Sequence, residues 1–409
     1  MQQKVADTTL LTDGAPATVP ARPRVWSRAF VLLCVAAFLA SAQTSLLTPI
    51  LPLFILEQGG TPVFVGIVAA AFSAPSVVLR PFMGRLVDTW SARGVLGISA
   101  LALGLASLGY LVYHAAVLLA ARALHGTAWA GYNTGSNVLV ARIAPAERRG
   151  EAVGYYATAQ GVAYAVVPAI ALWLLGPIGF GGIFLLTAVS GLLVAVTVLA
   201  IPRQPRPPVQ STGDGFWRSL VARDALLPCA LDFLNKLPYA ATTVFVPLYA
   251  TYRGIAIESL LFYFLACGIA GLAIRGWFGG WSDRMGRGRV IAMGAALSVV
   301  SLLLMAQAAN IVTLTFAGVL FGFGQAAAAP AVMALAIDRS RPERRGAAMA
   351  TYSLAFQLSA GGGGLVCGVL IETLGYWQMY VASALAPLAG LLLLLKYWGA
   401  TTRTPHSSA

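Results

Sequence analysis

Apolar stretches of roughly 20 residues or more alternate along this chain with short polar segments rich in arginine. Each stretch is about long enough to cross a hydrocarbon layer ~30 Å thick as a helix. Twelve such spans are expected, at 29–54, 63–84, 94–113, 115–140, 152–175, 180–201, 226–250, 258–280, 289–309, 311–337, 347–371 and 376–397. The one long polar connector in the interior carries Pro202, Pro205, Pro207 and Pro208 with Gly213 and Gly215. It divides the chain into a half at 29–201, a linker at 202–225 and a half at 226–398, with polar tails at 1–28 and 399–409. The first span resembles a secretory signal, since Arg22, Arg24 and Arg28 precede an apolar run that reaches Ala40-Ser41-Ala42. The run continues through Leu51, Pro52, Leu53 and Phe54, which predicts a retained helix. The expected fold class is an all-α membrane protein of twelve transmembrane helices.

The two halves are related. An offset of 195 residues brings Arg80, Gly84 and Asp88 onto Arg275, Gly279 and Asp283. An offset of 196 brings Glu147-Arg148-Arg149-Gly150 onto Glu343-Arg344-Arg345-Gly346, and Tyr156 onto Tyr352. An even number of spans per half gives both copies the same orientation, related by an axis along the membrane normal, with a binding site expected between them.

At these residues the chain resembles the major facilitator superfamily over essentially its whole length. The family's loop signature, Gly-x-Leu-Ala-Asp-Arg-x-Gly-Arg-Lys, is similar to Gly84-Arg85-Leu86-Val87-Asp88-Thr89-Trp90-Ser91-Ala92-Arg93, which keeps the Gly, Leu, Asp and final base. Its second copy, Gly279-Gly280-Trp281-Ser282-Asp283-Arg284-Met285-Gly286-Arg287, keeps more of the pattern. Glycine permits close helix approach, and an aspartate can face the positive N-terminal end of a helix of the other half in one state only. Gly84, Asp88, Arg93, Gly279, Asp283, Arg284 and Arg287 are therefore the expected gating residues. Arg122-Ala-Leu-His-Gly126 looks like the Arg-x-x-x-Gly pattern that the family's proton-coupled exporters associate with proton transfer. Leu47-Thr48-Pro49-Ile50-Leu51-Pro52 also looks like the exporters' first span, and Gly154, Gly161 and Pro168 follow their fifth-span pattern loosely, with Val167 where a glycine belongs. The resemblance is strongest to exporters of the drug-proton antiporter type and implies alternating access by a single chain.

Composition narrows the classes. The 409 residues are 58% hydrophobic and 10% charged, a balance suited to lipid as solvent. The net charge of +13 is not gathered on one face as a nucleic-acid partner requires. All but five of the 27 lysines and arginines fall in the two tails and alternate loops, which predicts cytoplasmic termini in a cell inner membrane. Cys34, Cys229, Cys267 and Cys367 lie inside spans with no metal-ligand spacing. There is no nucleotide-cradling Gly-x-x-x-x-Gly-Lys-Ser/Thr loop and no nucleophile with a base, so neither an enzyme nor an ATP-driven pump is expected and no cofactor is called for.

Charges within spans are costly and tend to face a cavity or a partner. Arg80, Arg122, Lys236 and Arg275 are such bases, although Arg80 and Arg275 lie near span ends where a long side chain can snorkel. Asp232 and Lys236 share one face of the seventh span, where they are expected to neutralise each other, with Asn235 and Tyr239 extending the polar patch. His125 adjoins Arg122 and is of the type that titrates near neutral pH, or simply packs. Gln43, Tyr132, Asn133, Tyr156, Gln160, Gln325 and Gln357 complete the expected substrate and proton pathway, whose mixed polar and aromatic character suits an amphipathic or zwitterionic organic molecule such as a drug, a siderophore or another secreted metabolite. Uptake of a sugar or organic acid on the same fold is the alternative, and a non-transporting receptor or assembly factor is a further class.

Overall fold

The computed structural model describes residues 25–204, 225–340 and 345–398, so most of both tails and of the linker lie outside the described residues. With no water in a hydrocarbon core, backbone groups must be satisfied within the segment, and the described residues are helical almost throughout. The helices are α1 (Arg28–Glu57), α2 (Pro62–Thr89), α3 (Ala92–Leu108), α4 (Ala115–Ile143), α5 (Arg149–Ala200), α6 (Leu226–Lys236), α7 (Tyr239–Thr243), α8 (Val246–Tyr252), α9 (Leu260–Met285), α10 (Arg287–Gln307), α11 (Ile311–Asp338), α12 (Arg345–Leu374) and α13 (Tyr376–Lys396). Local chemistry fixes several starts. Ser27, Thr61, Ser91 and Asn310 cap α1, α2, α3 and α11 by accepting from the backbone N–H three residues on.

Gly179 and Pro238 shape the fifth to seventh spans. The fifth and sixth are two helices that meet at Gly179 within α5, where a φ of 63° and a ψ of −178° are non-helical. Only glycine adopts that backbone conformation readily, so Gly179 makes the junction between the two expected spans. The seventh span is expected as one helix over 226–250 and is instead broken into α6, α7 and α8. Pro238 cannot continue α6, because its ring displaces the turn before it, and the break falls directly after Lys236.

Within the first half, α1 lies along α5, α2 and α3 both pack on α4, and α3 packs on α5. In the second half, α11 packs against α9 and α10, α13 against α10, and α6 against α11, α12 and α13. Two seams join the halves, α2 against α12 and α5 against α9. They are close because glycine removes the intervening side chains. A Cβ on Gly66 of α2 would sit 2.7 Å from the Gly364 carbonyl oxygen, and one on Gly368 of α12 would sit 2.5 Å from the Pro62 carbonyl oxygen. Many outer positions remain exposed although strongly apolar, including Trp173, Phe316 and Val312, as lipid-facing residues must be.

The buried apolar residues form one core that both halves share, with Leu47, Ile55 and Leu172 on one side and Phe245, Tyr249 and Tyr380 on the other. These residues lie toward the helix ends away from the arginine-rich loops. Toward the basic ends the core divides, into Leu33, Val95, Tyr132 and Val194 in the first half and Val290, Val332 and Leu394 in the second. Along α2, nothing between Ser76 and Val87 is buried. The two bundles therefore meet at one face and splay apart at the basic face.

Candidate functional site

The break after Lys236 concentrates polar groups where α6, α11 and α12 converge. Spacings of three and four residues put Asp232, Asn235 and Lys236 on one face of α6, and all three are buried, Asp232 being only 1% exposed. Asp232 Oδ1 accepts from the Tyr352 hydroxyl at 3.3 Å. Lys236 Nζ donates to Gln325 Oε1 at 3.3 Å and lies 5.4 Å from the centroid of the Phe356 ring. The Gln325 amide donates in turn to the Asn235 carbonyl at 3.0 Å. Two acceptors, Asp232 Oδ2 and Asn235 Oδ1, are buried without a hydrogen-bond partner, which is the costly condition for such groups.

Asp232 and Lys236 do not neutralise each other directly. Among the described residues no ion pair joins them, because Tyr352 and Gln325 draw the two side chains to different neighbouring helices. The opposite charges are balanced across a shared face rather than by contact. Tyr239, expected to extend this patch, sits beyond the break and is 39% exposed.

Next to Phe356 on α12, Gln357 donates to Ser76 Oγ of α2 at 3.2 Å, a buried hydrogen bond between the halves. Nearer the sealed face the same pair of helices is joined again, where Glu372 Oε2 accepts from the Val63 backbone N–H at 3.2 Å. Both contacts must break if these helices separate.

In the first half, Arg122 of α4 stacks over Phe72 at 4.9 Å from the ring centroid and lines a small cavity of about 50 Å³ walled by residues of the shared core. Its Nε and Nη1 are buried with no hydrogen-bond partner. Val244, between α7 and α8, closes that cavity from the second half. His125 is fully buried, its Nδ1 3.0 Å from the Tyr110 hydroxyl and its Nε2 without a partner.

The remaining expected pathway residues are dispersed. Gln43 points into the first half, where its amide donates to the Leu103 carbonyl at 2.9 Å and to Ser107 Oγ at 3.1 Å, tying α1 to α3. Tyr156 donates to Ser136 Oγ at 2.7 Å, and Tyr132 is fully buried, its ring stacked on Trp129. Asn133 accepts from Asn137 and Ser136 within α4, and Gln160 is half-buried on α5. Of the gating set, Asp88 and Arg284 are exposed, Gly84 has open space where a Cβ would stand, and Arg93 donates to the Leu199 carbonyl. Arg287 pairs with Asp338 at 3.2 Å. Gly279 and Asp283 fall on a stretch of α9 whose side chains lie outside the described residues, as does Arg275.

Sequence reasoning did not place Tyr352 or Phe356 in the site. The signal for Tyr352 was present, because the repeat register pairs it with Tyr156. Phe356 had no signal, being one aromatic among many in an apolar helix.

Two bundles of like topology, joined by α2 with α12 and α5 with α9 and splayed at one face, have a known counterpart. The family model described as Major Facilitator Superfamily matches residues 33–280 and 276–409. The chain belongs to the major facilitator superfamily. It is 28% identical over 341 residues to the multidrug resistance protein MdtG of Proteus mirabilis (strain HI4320), covering 78% of this chain and 83% of that protein. It is 26% identical over 330 residues to the multi-drug resistance efflux pump PmrA homolog of Lactococcus lactis subsp. lactis (strain IL1403), covering 76% and 80%. Among solved structures, a bacterial homolog of the human lysosomal transporter Spinster, in an inward-facing and occupied conformation, superposes with a TM-score of 0.77 at 13% identity, covering 94% of this chain and all of that one. The human organic anion transporter MFSD10 superposes with a TM-score of 0.63 at 18% identity, covering 90% and 99%. At such identities the structures establish the fold, and this major facilitator chain is an integral membrane protein of the twelve-helix type.

Proposed function

We propose that this major facilitator chain exports a small amphipathic organic molecule, a drug or a secreted metabolite such as a siderophore, across the inner membrane in exchange for protons. The termini and basic loops are cytoplasmic, and the conformation described is the one open to the cytoplasm. A single chain forms the whole pathway.

The observation that carries this reading is the buried Asp232 with an unpartnered carboxylate oxygen, lodged beside the seam that must open in the other state. Its hydrogen-bond donor Tyr352 and the ring beneath Lys236 belong to α12, the helix that Gln357 ties to α2. A proton taken up at Oδ2 removes the negative charge that offsets Lys236 and frees the ammonium to move toward the gap between the halves. Efflux relatives that match most of the chain support the direction of transport.

Purified protein in liposomes with an imposed pH gradient tests the coupling, and the metabolite content of medium and cytoplasm from cells with and without the protein identifies the cargo. Retention of one compound inside both deletion cells and cells carrying Asp232→Asn supports proton-coupled export. A compound that instead stays outside makes the protein an uptake permease. For that alternative the specific feature is Arg122, whose two unpartnered nitrogens at a small cavity suit a carboxylate.

A further inference from the structure

Away from the gap between the halves, a groove of about 660 Å³ opens at the basic end of the first half, where α3 begins and α5 ends. Three guanidinium-bearing residues line it, Arg93, Arg142 and Arg203, and among the described residues no acidic one does so. Arg93 is held in place by donating to the Leu199 carbonyl in the last turn of α5, and its buried Nε has no partner. The N-terminus of α3, capped by Ser91, adds its partial positive charge to the same side.

The groove exists because Gly94 and Gly97 carry no side chains on the α3 face that lines it. Ser91 and Gln204 lie with the arginines, and Ile98 and Leu101 of α3 and Leu199 of α5 form an apolar wall. These three are 58%, 44% and 59% exposed, and Leu105 continues the same stripe one turn further along α3. Trp90, also lining the groove and exposed, is of the residue type that concentrates at the boundary between water and hydrocarbon. A soluble anion would use the guanidinium cluster and leave the apolar wall bare. A neutral lipid would cover the wall and leave three charges without a counterion.

We propose that the groove is a binding site for anionic phospholipid, with the phosphate between Arg93, Arg142 and Arg203 and an acyl chain lying along Ile98, Leu101 and Leu105. Clustered bases at the inner surface attract anionic headgroups at about 1 kcal/mol per residue, so two lost arginines weaken binding roughly tenfold to thirtyfold. The bound lipid would staple the start of α3 to the end of α5, the same junction that Arg93 bridges.

The test is native mass spectrometry of the delipidated full-length protein titrated with dioleoylphosphatidylglycerol or with dioleoylphosphatidylcholine. The expected result is retained phosphatidylglycerol adducts at concentrations where phosphatidylcholine gives none. Arg142→Gln with Arg203→Gln should weaken those adducts by at least tenfold, while Arg28→Gln, a basic-face residue outside the groove, leaves them unchanged. Leu101→Asn, which keeps all three arginines, should also weaken them, and millimolar glycerol phosphate should not displace them. Equal retention of the two lipids, or adducts indifferent to the arginine pair, overturns the proposal. Displacement by glycerol phosphate together with indifference to Leu101→Asn overturns it in favour of a soluble anion site. Melting temperatures of the variants separate loss of lipid from loss of fold.

Discussion

Closure of the face away from the basic loops rests on backbone touching backbone, and Gly66→Ala tests it. A Cβ at this position of α2 would stand 2.7 Å from the Gly364 carbonyl oxygen and 3.0 Å from the Leu365 Cα of α12, where ordinary contacts begin near 3.4 Å. The obstructing atoms are main-chain, so no rotamer change relieves the overlap, and the two helices must part by roughly 0.7 Å at this contact. Overpacking of this kind costs typically about 1–3 kcal/mol. If α2 and α12 separate here in an alternate conformation, the strain disappears there and the whole cost weighs on one state. The ratio of the two conformations should then shift by roughly 5-fold to 150-fold. Spin labels at Gln58 and Thr373, exposed positions on the two halves at this face, report the change by pulsed dipolar spectroscopy. The variant should gain a population at longer distance, and Gly362→Ala, a neighbouring glycine with nothing within 4 Å of its Cβ, should not. An unchanged distance distribution in Gly66→Ala would refute the idea that glycine contact holds this face shut.

Four further outcomes follow from the same geometry. Lys236→Gln leaves the buried Asp232 charge uncompensated and should lower stability by several kcal/mol, with Asp232→Asn in the same chain recovering most of the loss in a thermal-melt assay. Gln357→Leu removes one buried hydrogen bond between the halves and strands Ser76, so it should disfavour the described conformation by about 1 kcal/mol, read with the same spin labels. Gly179→Ala forces a side chain into a backbone region that essentially only glycine occupies, at about 1–3 kcal/mol, and should lower the melting temperature by several degrees. Asp338→Asn breaks a half-exposed ion pair with Arg287 and should change the melting temperature little, since such pairs contribute under about 1 kcal/mol.

Most of the architecture was legible because it follows from a single strong constraint. A hydrocarbon layer demands long apolar helices, so hydropathy located the passages, and the duplicated Arg-x-x-x-Gly-x-x-x-Asp pattern exposed the two halves. The junction at Gly179 falls in the gap between the expected fifth and sixth spans, whereas the break at Pro238 was not legible from hydropathy, which averages over windows longer than that feature. The site was legible in part. Burial of Asp232, Asn235 and Lys236 follows from their mid-span position, but their partners do not, because Gln325 and Tyr352 are 89 and 120 residues distant and depend on how α11 and α12 rotate. Gln43 shows the converse limit. A polar residue in the first span was expected at the pathway, yet its amide serves to fasten α1 to α3.

The repeat sets different partners at equivalent positions of the two halves. Tyr156 and Tyr352 occupy equivalent positions, but the first donates to a neutral Ser136 on α4 and the second to the carboxylate of Asp232 on α6. The equivalent of α6 in the first half is α1, which runs unbroken from Arg28 to Glu57 despite Pro49 and Pro52, and under the repeat offset Pro238 falls on the region of Gln43. One copy thus fills this position with an amide that cross-links helices, while the other fills it with a proline that interrupts the helix beside Lys236. A break frees backbone carbonyls and lets the flanking segments pivot separately, which a charge-bearing helix needs if its balance is to change during transport. The carbonyl of Leu237 at this break is covered by the backbone of α12 at Gly363, where a Cβ would collide with it. Substituting Gly363→Ala should therefore disturb the charged cluster and the packing of α12 together, whereas the same change at Gly362 should disturb neither. Melting temperature and gradient-driven flux measured on the two variants side by side distinguish this coupling from a general intolerance of α12 to added bulk, which would penalise both.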